Sequence, residues 1–378
     1  MILVQCAACA APLGLSSGKK CGRCSTRYCG PACQEQHWKE GGHDKLCRKI
    51  KKAGGAEQYN ANQKYTAAVT VAAEACADDT KGQTCYICTQ ALHWKTKEGL
   101  VRGCSCRGTA GFAHVSCLEE QAKILCDEAE ENNLGNKVFN ARVARWYSCS
   151  LCEQQYHGAV RCALGWACWK TYVGRPETDQ ARCMAMTELG NGLCDAGHDE
   201  DALSVREADL AMRLRLGASD FNLLIVQGNL AISYEKLGRD EEALRMSRDV
   251  YSRSLKLHGE ENVETLRAAY NHAYYLCSLQ RYAEARSLLR RMLPVVRRVL
   301  GEGHRLTFKM RWKYGDALYK DAGATLDDLR KALTALEEAE RTARRVFGGA
   351  HPDITGIEDS LRYARAALRN RETPSGSA

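Results

Sequence analysis

The chain lacks any long apolar run and almost lacks cysteine in its second half. Even the stretch AVRCALGWACW is short and interrupted by Arg161, far from the roughly 20 apolar residues of a membrane-spanning helix. The sequence opens without a basic segment and apolar core, so we expect no secretory signal. Of the 21 Cys, only Cys277 lies after Cys194. We therefore expect an intracellular protein, cytoplasmic or nuclear, in which thiols stay reduced and dense Cys pairs indicate metal rather than disulfides.

Paired Cys and His dominate the first fifty residues. Two residues lie inside each of the pairs Cys6/Cys9 and Cys21/Cys24, a spacing that suits a tight knuckle whose backbone N–H groups bond to sulfur. Three residues lie inside each of the pairs Cys29/Cys33 and His43/Cys47, which places both side chains of a pair on one face of a helical turn. Eight ligands suffice for two closed tetrahedral sites, which are structural because no position remains for water or substrate. The pairs are Cys6/Cys9, Cys21/Cys24, Cys29/Cys33 and His43/Cys47.

The letters CAAC, CGRC, YCGPACQEQHW and HDKLC make residues 6–47 resemble a MYND zinc finger. The resemblance implies binding of short peptides, often containing proline, without catalysis. Gln34 and Trp38 match positions that commonly line the peptide groove, whereas His37 matches a position that does not bind metal. The letters EGG before His43 are interpreted as a loop insertion. The family's interleaved pairing implies one zinc ion on Cys6, Cys9, Cys29 and Cys33 and another on Cys21, Cys24, His43 and Cys47.

A second set of eight ligands follows an Ala-rich segment, residues 55–78, that is predicted to be a linking helix. The order is four Cys, one His and three Cys, which a PHD finger shares. The single residue inside CSC and the seven residues before His114 fit a RING-CH domain better, and GFAHVSCLEEQAK resembles that family closely. The resemblance covers roughly residues 83–158. It implies one zinc ion on Cys85, Cys88, His114 and Cys117 and another on Cys104, Cys106, Cys149 and Cys152.

RING-CH domains are typically the platform of ubiquitin ligases. They have no nucleophile and act by holding a charged ubiquitin-conjugating enzyme beside a substrate. Ile87 and Leu151 match the apolar patch that contacts that enzyme, although either could instead pack beneath a zinc loop. Three features depart from the family: Gln121 stands where Trp is common, 31 residues separate Cys117 from Cys149, and no Pro precedes the last Cys.

The second half of the chain repeats itself at an interval of 42 residues. Ala243 recurs as Ala285 and Asn229 as Asn271, and a later copy is displaced by five residues near KDAGATL. Each unit predicts two amphipathic helices, which cannot bury their apolar faces alone and are expected to stack into a superhelix. The unit resembles the long tetratricopeptide repeats of kinesin light chains. An irregular helical bundle is the alternative.

The repeat resemblance implies a concave groove for peptides, with Asn229 and Asn271 as candidate contacts. The alternative is that each amide bonds to its own helix neighbours. The predicted fold is mainly α, with two cross-braced zinc modules followed by an α-solenoid. The predicted boundaries are 1–50 for the MYND-type finger, 51–82 for the helical linker, 83–158 for the RING-CH-type finger, 159–370 for about four repeats ending in a capping helix, and 371–378 for a disordered tail.

These modules predict a ubiquitin ligase that recruits substrate peptides through the finger and the repeats, with a non-enzymatic adaptor as the alternative. A SET methyltransferase is rejected because no NHxCxPN-like stretch occurs. A redox enzyme is disfavoured because the CxxC pairs come in sets of eight with His. The seven Cys without pair spacing are expected to be buried reduced thiols; they are Cys76, Cys126, Cys162, Cys168, Cys183, Cys194 and Cys277.

The formal charge of +8 does not by itself predict a nucleic-acid partner. Fourteen thiolates on four zinc ions would lower the sum to about +2. The basic residues are also expected to be mixed with acidic ones along helices rather than collected in a stripe. We therefore expect four zinc ions as cofactors, a ubiquitin-conjugating enzyme and peptide segments as partners, and neither nucleic acid nor a membrane span.

Overall fold

The computed structural model describes residues 5–11, 13, 18–349 and 351–372. This part of the chain is mainly helical, as predicted, and divides into two compact units, Met1–Ala218 and Ser219–Ala378. Most of the predicted tail lies outside the described residues, although Arg371 and Glu372 still belong to the last helix. No helix among the described residues is long and apolar enough to cross a membrane.

The first unit contains one small sheet and eight helices among its described residues. Strand β1 (Lys19–Lys20) pairs antiparallel with β2 (Arg27–Tyr28), with Lys19 opposite Tyr28. A single 3₁₀ turn follows α5 at Ala144–Trp146. The helices are α1 (Pro31–Lys39), α2 (His43–Lys52), α3 (Ala56–Ala75), α4 (Val115–Glu131), α5 (Gly135–Val143), α6 (Gly158–Tyr172), α7 (Gln180–Asp195) and α8 (Asp199–Arg215).

The letters EGG form the connection between α1 and α2, where both glycines are required. A Cβ atom on Gly41 would lie 2.1 Å from Cδ2 of His37, so the chain turns back directly onto α1. Gly42 has φ of 71°, a left-handed conformation that L side chains rarely adopt. The insertion predicted from the sequence is therefore a tight turn that delivers His43 to the first residue of α2.

The Ala-rich segment predicted as a linker forms α3, which packs against α6. Tyr65 lies in the core, its hydroxyl bonds to Ser116 Oγ at 3.1 Å, and Lys170 Nζ lies 3.7 Å from the centre of its ring. Gln58 donates to the Lys170 carbonyl at 2.8 Å. One hydrophobic core continues from α3 to α8, so α6, α7 and α8 share a compact unit with both cysteine-rich segments. The domain boundaries at 82 and 158 remain predictions.

The second unit consists of consecutive antiparallel helix pairs and a final single helix, and each helix packs on the next. Its core positions repeat at the predicted interval: Leu224, Leu266 and Phe308 are all buried, as are Ala243 and Ala285. Such spacing is expected when each pair buries its apolar face only against its neighbours. The helices are α9 (Asp220–Lys236), α10 (Asp240–His258), α11 (Val263–Ser278), α12 (Tyr282–Leu300), α13 (Arg305–Tyr319), α14 (Leu326–Phe347) and α15 (Pro352–Glu372).

Glycine ends the second helix of each pair in this unit. Gly259, Gly301 and Gly348 have φ of 78°, 80° and 82°, and each donates its backbone N–H to the carbonyl four residues earlier. Gly348 follows Gly301 by five residues more than the regular interval. The extra residues are taken up by the loop 320–325, which ends in the Thr325 capping box, and by the longer α14.

The close approach of α13 to α14 yields a stability prediction. A Cβ atom on Gly315 would lie 2.7 Å from Cγ of Leu336 and 3.3 Å from the carbonyl oxygen of Ala332, so the helices would have to separate. Gly315→Ala should lower the free energy of unfolding by about 1–3 kcal/mol. Urea denaturation followed by circular dichroism measures the change.

Gly228→Ala is the matched control, because Gly228 is also helical and its Cβ would meet only Val250 Cγ1 at 3.9 Å. That substitution should raise the free energy of unfolding by about 0.5–1 kcal/mol, as Ala does in a helix. Equal effects of the two substitutions would contradict the close packing.

Candidate metal centres

The structure brings sixteen Cys and His side chains together in four groups of four. Within each group the ligand atoms all lie within 4.8 Å of one another. The membership of the groups, including the interleaving of the pairs, is the one that the resemblance to MYND and RING-CH fingers implies. The groups are Cys6, Cys9, Cys29 and Cys33 (site 1), Cys21, Cys24, His43 and Cys47 (site 2), Cys85, Cys88, His114 and Cys117 (site 3), and Cys104, Cys106, Cys149 and Cys152 (site 4).

The separations of the donor atoms fit a tetrahedral zinc ion. Zn–S bonds of 2.3 Å imply sulfur atoms about 3.8 Å apart, and a Zn–N bond implies about 3.6 Å between nitrogen and sulfur. The Sγ atoms of Cys9 and Cys29 are 3.7 Å apart, and those of Cys106 and Cys149 also 3.7 Å. His114 Nδ1 lies 3.4 Å from the sulfur of Cys88. The donor set therefore fits zinc at each site, and the count of four ions is a prediction.

Backbone N–H groups point at the first sulfur of the knuckles, as the two-residue spacing predicts. Ile87 N–H donates to Cys85 Sγ at 3.4 Å, and Leu151 N–H donates to Cys149 Sγ at 3.4 Å. Burial opposes ionisation of Cys6, yet backbone donors from Cys9, Cys29 and Ala8 lower its pKa to about 6. These donors favour the thiolate, which is the form that binds metal.

Without a bound cation, the cysteines of one group cannot all ionise. The hydrogen bond from Cys104, followed by backbone donors, lowers the pKa of Cys149 to about 4, while the same bond raises the pKa of Cys104. At site 1 the bond to Cys29 raises the pKa of Cys33 to about 12. One ionised thiol thus suppresses ionisation of its neighbours, and only a cation at the centre of the group allows every Cys to ionise.

The two histidines present different nitrogens to their sites. His43 directs Nε2 at the sulfur of Cys24, 3.4 Å away. His114 directs Nδ1 at its site. Its Nε2–H donates a hydrogen bond to the carbonyl oxygen of Ala91 at 3.4 Å, which leaves Nδ1 as the ligand atom. Burial lowers the pKa of both rings, so both are neutral at pH 7, as metal ligands must be.

Comparison with protein families assigns names to these segments. A model of the MYND finger matches residues 6–47, and a model of the RING-variant domain matches residues 85–134. A tetratricopeptide repeat model matches residues 224–264 and 265–306. The chain carries all three modules. The RING-variant match ends before Cys149 and Cys152, and the structure places these two residues beside Cys104 and Cys106 to complete site 4.

Comparison with solved structures found chains of low sequence identity. A crystal structure of BtubC (BKLC) from P. vanneervenii is 15% identical and covers 70% of this chain and 96% of its own, with a TM-score of 0.41. A putative kinesin light chain with nearly identical TPR-like repeats from Podosopora anserina is 17% identical and covers 61% and 97%, with a TM-score of 0.37. A comparison with curated proteins found no match.

The two knuckles of the RING-variant domain are joined to each other. Tyr86 and Ser150, the second residues of CYIC and CSLC, bond through their hydroxyl groups at 3.1 Å. The third residues are Ile87 and Leu151, which are 37% and 52% exposed. Neither predicted contact residue is therefore packed beneath a zinc loop. The Tyr86–Ser150 link was not predicted, because no spacing rule relates residues 64 positions apart.

In the MYND finger, the predicted groove residues lie on α1. Trp38 is exposed and meets the ring of His43 edge-on, 5.7 Å between centres, while Gln34 lies one turn earlier and is half-buried. His37 Nδ1 bonds to the hydroxyl of Tyr28 at 3.0 Å and lies outside the four groups, consistent with its predicted role. The positions of Gln34 and Trp38 fit a surface site, and their contact with a peptide remains a prediction.

In the repeats, Asn229 lies on α9 and Asn271 on α11, the first helices of their pairs. Both are half-buried, and neither amide has a hydrogen-bond partner among the described residues. The alternative that each bonds to its own helix neighbours is thus not seen. Their contact with a partner remains a prediction.

The remaining seven cysteines fall into two classes. Cys126, Cys162 and Cys168 are buried as predicted, and burial raises the pKa of Cys162 to about 11. The prediction is wrong for four half-buried residues, which lie near helix ends or on helix faces that are only partly covered. These four are Cys76, Cys183, Cys194 and Cys277.

Two residues of the RING-variant domain have properties that the spacing of its ligands does not reveal. His93 is buried, with its ring centre 5.3 Å from that of His114, and its Nδ1 bonds to Thr96 Oγ1 at 2.8 Å. The next residue, Trp94, is 68% exposed. The apolar letters of ALHW inside a polar loop are the sequence signal that could have indicated this exposed ring.

Elemental analysis tests the metal prediction. The purified protein should contain about four zinc ions per chain, and Cys29→Ser should remove one or two of them, because a cross-braced module folds only with its metal. Cys277→Ser is the control, since Cys277 lies outside the four groups. A zinc content of two ions or fewer per chain in the parent protein would mean that at most one of the two modules binds its full complement of zinc.

Proposed function

We propose that this zinc-binding repeat protein is a RING-CH-type ubiquitin ligase. Its RING-variant domain would hold a ubiquitin-conjugating enzyme charged with ubiquitin, and its MYND finger and repeats would recruit peptide segments of substrates. Such a domain contributes no nucleophile. Its contribution is to fix the thioester of the conjugating enzyme within reach of a substrate amine, which is catalysis by positioning.

The arrangement of Ile87 and Leu151 is the observation that carries the proposal. Each is fixed by a backbone N–H that donates to a ligand sulfur, and the Tyr86–Ser150 bond joins the two knuckles. Two apolar side chains are thereby exposed on two knuckles that are joined to each other. Exposed apolar side chains on a fixed surface gain free energy only when a partner covers them.

The alternative is a non-enzymatic adaptor, and three features of the chain favour it. Gln121 is a half-buried residue of α4 at the position where the family often has Trp. Ser150 and Leu151 occupy the interior of the last knuckle, so no Pro precedes Cys152. Glu153 follows that knuckle with φ of 56°. These departures reduce the apolar area available to a conjugating enzyme without changing the four metal groups.

The decisive test is an autoubiquitination assay of the full chain with a panel of conjugating enzymes. The parent protein should transfer ubiquitin with at least one of them. Ile87→Ala should abolish transfer, because losing about 1–3 kcal/mol is more than a weak, transient interface can sustain. Leu151→Ala should act in the same direction.

Val71→Ala is the matched control, since Val71 is 55% exposed on α3 and belongs to neither knuckle. All three variants should keep the zinc content of the parent protein, because none of these residues is a ligand. Loss of zinc together with activity would mean that the substitution disrupts the metal site, and the loss of transfer would then not support a contact with the conjugating enzyme. An inactive parent protein with every conjugating enzyme would favour the adaptor.

A further inference from the structure

Helix α2 of the MYND finger presents a group of cations that the described part of the chain does not neutralise. These five residues are exposed, and no ion pair, hydrogen bond or ring contact joins their side chains to other described residues. They are Lys45, Arg48, Lys49, Lys51 and Lys52.

Helix α12 of the repeats is also rich in cations, but most of them are paired. On α12, four arginines lie beside an acidic side chain: Arg286 beside Asp328, Arg291 beside Glu260, Arg297 beside Glu302, and Arg298 beside Glu261. Those acidic partners belong to other segments of the same unit. The five cations of α2 have no such partners among the described residues, and in this α2 differs from α12.

The cations of α2 form a stripe. Successive residues of an α-helix turn by 100°, so positions i, i+3, i+4 and i+7 share one face about 100° wide. Lys45, Arg48, Lys49 and Lys52 occupy these positions, opposite the buried His43, Cys47 and Ile50. The sequence-based expectation that basic residues are not collected in a stripe is therefore wrong for α2. These four cations form the basic stripe.

The helix dipole does not explain the basic stripe. A dipole favours cations in the last turn of a helix, which here contains Lys49, Lys51 and Lys52. Lys45 lies in the first turn, next to the positive end, where a cation is unfavourable. The dipole therefore accounts for Lys49 and Lys52 of the stripe but not for Lys45.

One exposed apolar side chain adjoins the basic stripe, and a second lies at the start of α2. Leu46 is 37% exposed and lies one turn after His43, between the buried face of α2 and Lys49. Trp38 on α1 covers the ring of His43. A phosphate backbone would neutralise the cations and leave these two side chains uncovered, whereas a peptide with apolar and acidic residues would match both.

We propose that the peptide bound by the MYND finger carries acidic residues next to its apolar segment, and that the basic stripe binds these acidic residues. This inference rests on the proposed peptide-binding role of α1. The ten residues of α2 are about 15 Å long, the length of four or five residues of an extended chain. The partner is therefore a peptide with about four acidic residues next to the apolar segment that contacts Trp38 and Leu46.

Fluorescence anisotropy with two labelled peptides tests the inference on the full chain. Both contain the segment Pro-Pro-Leu-Pro, followed in one by four Glu and in the other by four Gln. The Glu peptide should bind about tenfold more tightly, a difference of about 1.4 kcal/mol in binding free energy, because its carboxylates pair with the exposed cations of the stripe. The difference should shrink as the salt concentration rises from about 0.05 M to about 0.5 M.

The variant Lys45→Gln/Arg48→Gln/Lys49→Gln should lose this preference and bind both peptides alike. The control Lys19→Gln/Lys20→Gln/Arg23→Gln removes the same number of exposed cations from the same finger and should keep the preference. Neither triple variant touches a ligand residue, so both should keep the zinc of the parent protein. Equal losses in the two variants would overturn the role of the stripe.

The remaining outcomes separate the inference from the proposed function. Equal affinity of the two peptides, lost in Trp38→Ala, would keep the groove on α1 and overturn the acidic partner. Binding of neither peptide would overturn both. Binding of a DNA duplex that is weakened in the stripe variant, without a preference for the Glu peptide, would overturn the acidic peptide in favour of nucleic acid. None of these outcomes depends on ubiquitin transfer.

Discussion

The first unit depends on the requirement that four ligand atoms, most of them thiolates, meet within a few ångströms. Without a cation at their centre the sulfurs suppress one another's ionisation, as the opposite pKa shifts of Cys149 and Cys104 indicate. Each site draws its ligands from two segments separated by a ligand pair of the other site. Because of this interleaving, neither site of a module can form unless the chain folds for both. The metal thus fixes segments that have few apolar residues of their own.

Convergence of ligands also determines where apolar side chains are exposed. The backbone N–H groups of a knuckle donate to the ligand sulfur, so its central residues cannot join a helix or a strand. Their side chains point away from the site. Ile87 and Leu151 stand at the same place in two such knuckles, and Tyr86 and Ser150 join these knuckles through one hydrogen bond. Helices α3 and α6 then support the module from one hydrophobic core. The backbone of Ile87 and Leu151 is consequently held in place while their side chains remain exposed.

Much of this arrangement could be predicted from the sequence, for reasons of spacing. Ligand pairs two or three residues apart predicted two sets of eight metal ligands, and the resemblance to MYND and RING-CH fingers implied how these pairs divide among four sites. The repeat interval of 42 residues likewise placed Ala243 and Ala285 in equivalent buried positions. The contact of α3 with α6 could not be predicted, because an Ala-rich helix with scattered apolar residues gives no sign of which surface it will meet. The basic stripe was missed for a different reason, since a charge sum over the whole chain hides four cations on a single helix.

The two units are stabilised by different physical means. The second unit has none of the four metal groups among its described residues; it repeats buried Leu, Ala and Phe at a fixed interval and ends its pairs with glycine at positive φ. Its stability is therefore a sum of similar contacts between neighbouring helices. The first unit combines such packing in α6 to α8 with ligand convergence in the cysteine-rich segments. The geometry of the knuckles is therefore fixed by their metal ligands, and that of the repeats by apolar burial.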